Sequence, residues 1–434
     1  MELGITIWND LDRDAQEATL RRPGSQDDAS QSATVAEIIR EVRDNGDAAL
    51  RRYTKSFDDV DLTDFLVSAE EANSAEAALS PETIAAIDVA IRNVRIFHQA
   101  QLPQALSVET SPGIQCERIS HAIEAVGLYV PAGTAPLPSA AIMLAVPAAL
   151  ANCPTRVMCT PPRADGSADP SVVAAAKRAG VSNIYKLGGA QAIAALAYGT
   201  ETIPKVNKIF GPGNSWVTLA KTMVAATPGG AAIDMPAGPS EVLVIADETA
   251  SACFVAADLL SQAEHGADSQ VILATTSLGL AGNVIKELQE QLKQLSRREI
   301  AAAAMQHSSI IVVDDIQSAV SLSNAYAPEH LILQVDKARE WLPKIRNAGS
   351  VFLGPWAPES VGDYCTGTNH VLPTNGFAKA YSGLGVDQFL RQMSVQELTK
   401  DGLISISDSV VALADLEGLD AHAASIKVRL ETLQ

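Results

Sequence analysis

The spacing of apolar and polar positions changes character along the chain. Residues 1–30 are polar, rich in Asp, Arg and Ser, and read as an N-terminal arm. From 34 to 100 apolar positions recur at helical spacing, as in Val35-Ala36-Glu37-Ile38-Ile39. Pro and Gly punctuate 103–113. From Ala125 strand-like and helix-like runs alternate. Val126-Gly127-Leu128-Tyr129-Val130 predicts a strand ended by Pro131-Ala132-Gly133, with a helix over Ala140–Ala151. Strands are expected at Arg156–Cys159 and Asn183–Leu187, and helices at Val172–Ala179 and Gln191–Ala197. Lys208-Ile209-Phe210 then runs into Gly211-Pro212-Gly213-Asn214, before a helix from Val217. A second set starts at Glu241–Ala246 and continues with a helix closing on Ser261-Gln262-Ala263-Glu264-His265-Gly266. The strand Gln270–Ala274, a helix over Ala281–Leu295 and the strand Ser309–Val313 follow. Two late helices are expected, at Val386–Met393 and Leu419–Leu433. This alternation is βαβ arithmetic and predicts an α/β fold with parallel sheets.

Composition agrees with that picture. The chain has 434 residues, enough for two to four domains at roughly 150 residues each. Hydrophobic residues make up 47% and aromatics only 4%, which suits small side chains on helices packed against parallel sheets. Acidic residues outnumber basic ones by 51 to 32, a net charge of −19. A nucleic-acid partner is therefore not expected, since phosphate binding needs a basic face. No apolar run reaches transmembrane length, so no membrane partner is expected. The N-terminus has no basic n-region and no apolar h-region, and the five cysteines are scattered without Cys-x-x-Cys spacing. Both features lead us to expect a reduced, cytoplasmic protein.

Three motifs carry candidate chemistry. Gln262 and His265 stand at i and i+3, which on one helix face would bring an amide oxygen beside an imidazole. Asp363, in the Gly-containing stretch Glu359-Ser360-Val361-Gly362-Asp363-Tyr364, and His422 can complete an oxygen and nitrogen donor set. The plain alternatives are a polar helix surface for the pair, a turn residue for Asp363 and a helix-start polar group for His422. In Ala327-Pro328-Glu329-His330-Leu331, adjacent acid and base groups suit proton transfer. The alternative there is a helix start with Pro in its first turn. The third motif is the trio of glycine turns after strands: Pro131-Ala132-Gly133, Gly188-Gly189-Ala190-Gln191 and Gly211-Pro212-Gly213-Asn214. Such turns are where open α/β sheets bind ligands, and glycine lets backbone approach a phosphate. No Gly-x-Gly-x-x-Gly follows a strand, so the usual dinucleotide fingerprint is absent.

Taken together, these stretches resemble the histidinol dehydrogenase family. The resemblance is carried by Tyr129–Gly133, Lys208–Asn214, Ile233–Glu241, Ser261–Gly266, Pro328–His330 and Glu359–Pro373, in family order over roughly residues 35–425. Ala132 stands where the family often has Gly. The resemblance implies a homodimer of two incomplete Rossmann-like domains with small terminal extensions. The boundaries expected are an arm at 1–30, a metal and catalytic domain from 31–125 plus 240–376, a nucleotide domain at 126–239, and a tail at 377–434. It implies zinc at Gln262, His265 and Asp363, with His422 supplied by the other subunit. It implies NAD near Tyr129, Gln191 and Asn214. Substrate contacts fall to Ser240, Glu417, His370 and His330 beside the metal ligands, with His330 as base and Glu329 activating water. The implied reaction is oxidation of L-histidinol to L-histidine through bound L-histidinal. Rival readings are a relative acting on another amino or sulfonated alcohol, a metal-dependent hydrolase or a non-catalytic ligand-binding protein, and a dehydrogenase with a cysteine nucleophile such as Cys153 or Cys365.

Overall fold

A computed structural model describes residues 4–23, 29–132, 135–236 and 238–432. The chain divides into two compact units, Met1–Gln101 with Ile123–Phe389, and Leu102–Ala122 with Leu390–Gln434.

The first unit holds two parallel sheets. One has six strands in the order Ile5–Ile7, Ser309–Val312, Gln270–Thr275, Glu241–Ala246, His330–Gln334 and Ser350–Leu353. Glu241–Ala246 and Gln270–Thr275 are buried at every position. That explains their unbroken apolar runs, because a central parallel strand is covered on both faces. Each fully buried Val, Leu or Ile contributes about 1.5–3 kcal/mol, so no polar alternation survives there. The edge strand Ile5–Ile7 comes from the arm, where the polar composition predicts no strand. Asp12 caps the short helix Arg13–Thr19 that follows, accepting from the Ala15 N–H at 2.8 Å.

The other sheet runs Asn183–Lys186, Thr155–Thr160, Ala125–Tyr129, Lys208–Phe210 and Ala232–Ile233. Helices from residues 29–99 cover it. Ala29–Phe57 packs on Gly189–Tyr198 and Ser215–Ala226, Ala69–Ala77 on Pro170–Arg178, and Pro81–Gln99 on Pro138–Leu150. Val35, Ile38, Val42 and Leu50 share a core with Ile193, Leu196 and Val217. The sequence reading groups residues 31–125 with 240–376; the packing of these helices is instead with the 126–239 region. An amphipathic period says that a helix buries one face but not against which sheet.

In the second unit an antiparallel sheet runs Leu390–Leu398, Ile114–Ala122, Leu106–Ser111. The helices Lys400–Leu416 and Asp420–Glu431 pack on one another. The helix expected at Val386–Met393 is a 3-10 turn, Val386–Phe389, followed by a strand from Leu390. Pairing with Ile114–Ala122, far away in sequence, overrides the local preference. No helix of the described residues is long and apolar enough to cross a membrane.

Candidate active site

Local folding at the two catalytic motifs differs from the sequence expectation. The helix Ala252–Ala263 stops at Ala263 with Glu264 as its C-cap, not at Gly266. Gln262 sits in the last turn, 1% exposed. His265 follows the cap, so the two side chains do not share a helix face; a turn with His265 N–H donating to the Gln262 carbonyl at 3.2 Å relates them. Pro328 and Glu329 begin no helix. Ala327 ends the helix Ile316–Tyr326 in left-handed backbone with φ 56°, and the chain enters the strand His330–Gln334 directly. Asp363 lies in the helix Glu359–Tyr364 rather than in a loop. Glu359 and Asp363 are therefore i and i+4 on one face.

These elements gather a cluster of acids and imidazoles at the amino ends of the six-stranded sheet. One residue, Glu241, organises the centre through its backbone. Its N–H donates to Glu329 Oε2 at 2.9 Å, and its carbonyl meets His330 Nδ1 at 3.2 Å. A carbonyl only accepts, so Nδ1 carries the proton and Nε2 points away from the strand. His330 Nε2 has no hydrogen-bond partner among the described residues and stands 3.6 Å from Asp363 Oδ1. Glu329 Oε2 lies 3.6 Å from His330 Nδ1. Ligand atoms of His265, Glu359 and Asp363 all fall within 4.8 Å of one another. One end of the Gln262 amide faces Glu359, at 2.9 Å from Oε2, and the other faces the Glu241 N–H at 3.0 Å. Hydrogen bonding alone assigns nitrogen to the Glu359 side; a shared cation would turn the oxygen there.

Charge decides what this cluster can hold. Burial pushes Glu329 up to about 8, against the pull of His330 and the Glu241 N–H. Glu359 is raised well above the ordinary range by burial, with Asp363, Glu329 and Asp258 adding to it. Burial works to lower His330, but Glu359, Glu329 and Asp363 outweigh it and lift the imidazole to about 10. Several carboxylates thus compete for one imidazole in a dry site, which is costly without a cation. Two buried imidazole nitrogens, Nε2 of His330 and of His370, also lack partners among the described residues. Oxygen and nitrogen donors around surplus negative charge fit a divalent cation. Ser240 is half-buried next to Glu241; against burial, which works to raise it, the Asp363 carboxyl is held low by His330 first and by His370 and His265 after it. Glu417 and His422 are exposed residues of the second unit, Glu417 as the C-cap of Lys400–Leu416 and His422 in the first turn of Asp420–Glu431. Cys153 is fully buried and its thiol is pushed up to about 11, which disfavours Cys153 as a nucleophile.

The glycine turns converge at the carboxyl ends of the five-stranded sheet. Tyr129 closes its strand, 3% exposed, and its hydroxyl accepts from the Gly189 N–H at 3.0 Å. Gly211 has φ 120°, and a Cβ there would stand 2.1 Å from the Tyr129 carbonyl oxygen, so only glycine fits. Gln191 is buried in the first turn of Gly189–Tyr198, with Oε1 unpartnered among the described residues. Asn214 caps the helix Ser215–Ala226, accepting from the Val217 N–H at 3.1 Å. Gly133, expected in the first of these turns, lies outside the described residues. Two helix N-termini beside glycine turns form a setting for an anionic ligand.

Comparison with known proteins bears on both regions. A family model described as histidinol dehydrogenase matches residues 20–430. The chain belongs to the histidinol dehydrogenase family. The histidinol dehydrogenase of Vibrio cholerae is 53% identical over 428 residues, covering 99% of this chain and 98% of that protein. That of Xanthomonas axonopodis pv. citri is 54% identical over 426 residues, covering 98% and 99%. The crystal structure of histidinol dehydrogenase from Elizabethkingia anophelis superposes with a TM-score of 0.95 at 45% identity, covering 100% of this chain and 98% of that one. As a member of the histidinol dehydrogenases, the protein is an oxidoreductase.

The family resemblance in the sequence does not single out Glu359 or Glu241, which the structure places at the centre of the cluster. The i, i+4 spacing of Glu359 and Asp363 is a signal that could have found the first. Nothing local marks Glu241, whose backbone rather than side chain faces the catalytic pair.

Proposed function

We propose that the protein oxidises L-histidinol to L-histidine through bound L-histidinal, passing two hydrides to two NAD in turn. The balance is RCH2OH + 2 NAD+ + H2O → RCOO− + 2 NADH + 3 H+. The observation that carries this reading is the buried Glu329–His330 pair, anchored on Glu241 beside the carboxylate and imidazole cluster. Gln262, His265 and Asp363, with His422 of the partner subunit, would hold zinc. When bound, the zinc would supply a fixed attachment point for substrate nitrogens and no redox chemistry. Tyr129, Gln191 and Asn214 would contact NAD at the glycine turns.

The roles of the chain's own residues follow from their geometry. With a bound cation taking up the negative charge of the carboxylates that lift it to about 10, His330 would be neutral and would take the alcohol proton at Nε2, the nitrogen left open by the Nδ1 contact to Glu241. Ser240 and His370, with Glu417 of the partner subunit, would position the substrate, so that the carbinol carbon is held for hydride loss. Glu329, oriented by the Glu241 N–H, accepts a proton from the water that adds to the aldehyde when it is ionised, a form favoured as pH rises toward and above about 8. Burial of the pair keeps bulk water away from the aldehyde between the two steps. A cytoplasmic homodimer completes the reading; Leu413, Leu416 and Val428 are exposed apolar side chains of the second unit.

The test is NADH absorbance with purified protein, NAD and L-histidinol, before and after chelation and zinc return. Two NADH per histidinol, lost on chelation and restored by zinc, is the expected result. One NADH per histidinol overturns the two-step reaction. No NADH from zinc-loaded protein moves the substrate to another amino alcohol.

A further inference from the structure

We infer that Arg22, from the N-terminal arm, is a positioning residue for the catalytic pair and acts through Glu241. The inference rests on the reading of Glu329 and His330 given above. Arg22 crosses 219 positions of sequence to grip the buried Glu241 carboxylate in a fork, with Nε to Oε1 at 2.5 Å and Nη2 to Oε2 at 2.8 Å. Its side chain is 16% exposed and that of Glu241 2%. The guanidinium also lies over the Tyr326 ring, 3.9 Å from its centroid, and donates to the Tyr326 carbonyl at 2.9 Å. Asn375 N–H supplies a further bond to Glu241 Oε1, at 2.7 Å.

Arg22 thus holds two stretches of chain at once. One is the start of the strand Glu241–Ala246, whose first residue presents its N–H to Glu329 and its carbonyl to His330. The other is the end of the helix Ile316–Tyr326, from which Ala327 and Pro328 lead straight into the pair. Planar, two-point contact of this kind is what a guanidinium offers and an ammonium does not. Without Arg22 the Glu241 carboxylate would be a buried charge left with a single backbone donor, and the strand start would move to relieve it. A displacement of about 1 Å at a catalytic group costs on the order of 100-fold in rate. The nucleotide-binding residues lie on other segments, whereas Ser240 directly precedes Glu241, so the loss belongs first in kcat, with KM for NAD held.

The experiment compares zinc-loaded Arg22→Met, Arg22→Ala and Arg22→Lys with the parent protein, and runs His330→Asn in parallel. Expected is a fall in kcat of about 10- to 100-fold for Arg22→Met, with KM for NAD little changed and bound zinc undiminished. Arg22→Lys should recover part of the rate, and guanidinium ion added to Arg22→Ala should raise kcat. Parent-level kcat in Arg22→Met overturns the inference. So does a loss that tracks bound zinc or folded fraction and does not respond to guanidinium. If Arg22→Met fails to fold, Arg22→Lys decides: its kcat must fall while its KM for NAD holds, and parent kinetics overturn the inference. Full activity in His330→Asn removes the catalytic reading itself, and this inference with it. Loss in His330→Asn with parent rates in Arg22→Met removes this inference alone.

Discussion

In the five-stranded sheet, the polar side chains expected to meet a nucleotide stand at the carboxyl ends of the strands, around Tyr129, Gln191 and Asn214. In the six-stranded sheet, Glu241 and His330 are each the first residue of a strand, so the cluster of acids and imidazoles occupies the amino ends. The difference follows from which helix termini arrive at each end. At the carboxyl ends, helices begin: Gly189–Tyr198 and Ser215–Ala226 offer free N–H groups and partial positive charge, which suit an anionic dinucleotide. At the amino ends, a helix finishes: Ala252–Ala263 delivers Gln262 in its last turn and His265 just beyond, with partial negative charge that suits a cation. Two sheets of one architecture thus offer opposite electrostatics. The usual placement of ligands at carboxyl ends describes only the first.

That contrast can be broken most directly at the catalytic sheet. His330→Asn should lower histidinol oxidation by about 10²–10⁴-fold, the usual contribution of a general base. Glu329→Gln should spare the first hydride transfer and depress histidinal oxidation by a comparable factor. Equal loss of both half-reactions in Glu329→Gln would sink the division of labour between the two residues. A smaller effect tests whether the site draws on a second chain. Inactive His265→Ala and His422→Ala proteins, denatured together and refolded, should regain activity, because each mixed dimer would contain one intact site. Failure to regain activity, with dimers formed, places His422 outside its neighbour's site.

At the nucleotide sheet the expected effects are milder. Asn214→Ala removes a helix cap worth about 1 kcal/mol and should raise KM for NAD while leaving histidinal hydration untouched. A changed second half-reaction at saturating NAD would contradict the separation of the two regions. The last prediction concerns stability. Glu329 is lifted from its ordinary 4.5 to about 8, so its neutral form favours the folded state. That contribution is fully present below pH 4.5 and is lost as pH rises through about 8. The melting temperature of chelated protein should therefore fall across this window, and Glu329→Gln should flatten the fall. An unchanged slope in Glu329→Gln would assign the effect to other groups.

Much of the fold was legible because strand and helix periods are local. Glu241–Ala246 has the same bounds in sequence and structure, and the alternation from Ala125 to Val313 predicts both parallel sheets. Glycine at Gly211 and the Asn214 cap were readable for the same reason: each meets a need of its own few residues. What escaped was non-local. The strand Leu390–Leu398 exists by pairing with Ile114–Ala122, and Ile5–Ile7 by pairing with Ser309–Val312. At the site, Glu329 and His330 could be picked out as neighbouring acid and base, and the family pattern added Gln262, His265 and Asp363. The sequence by itself determined the candidate residues for the chemistry and the central strands of both parallel sheets. Only the tertiary structure decided at which end of each sheet these residues gather, that Glu359 joins the cluster, and that Arg22 binds the Glu241 carboxylate behind Glu329 and His330. Side-chain identity is a property of one position, whereas electrostatic surroundings are set by whatever distant segments fold against it.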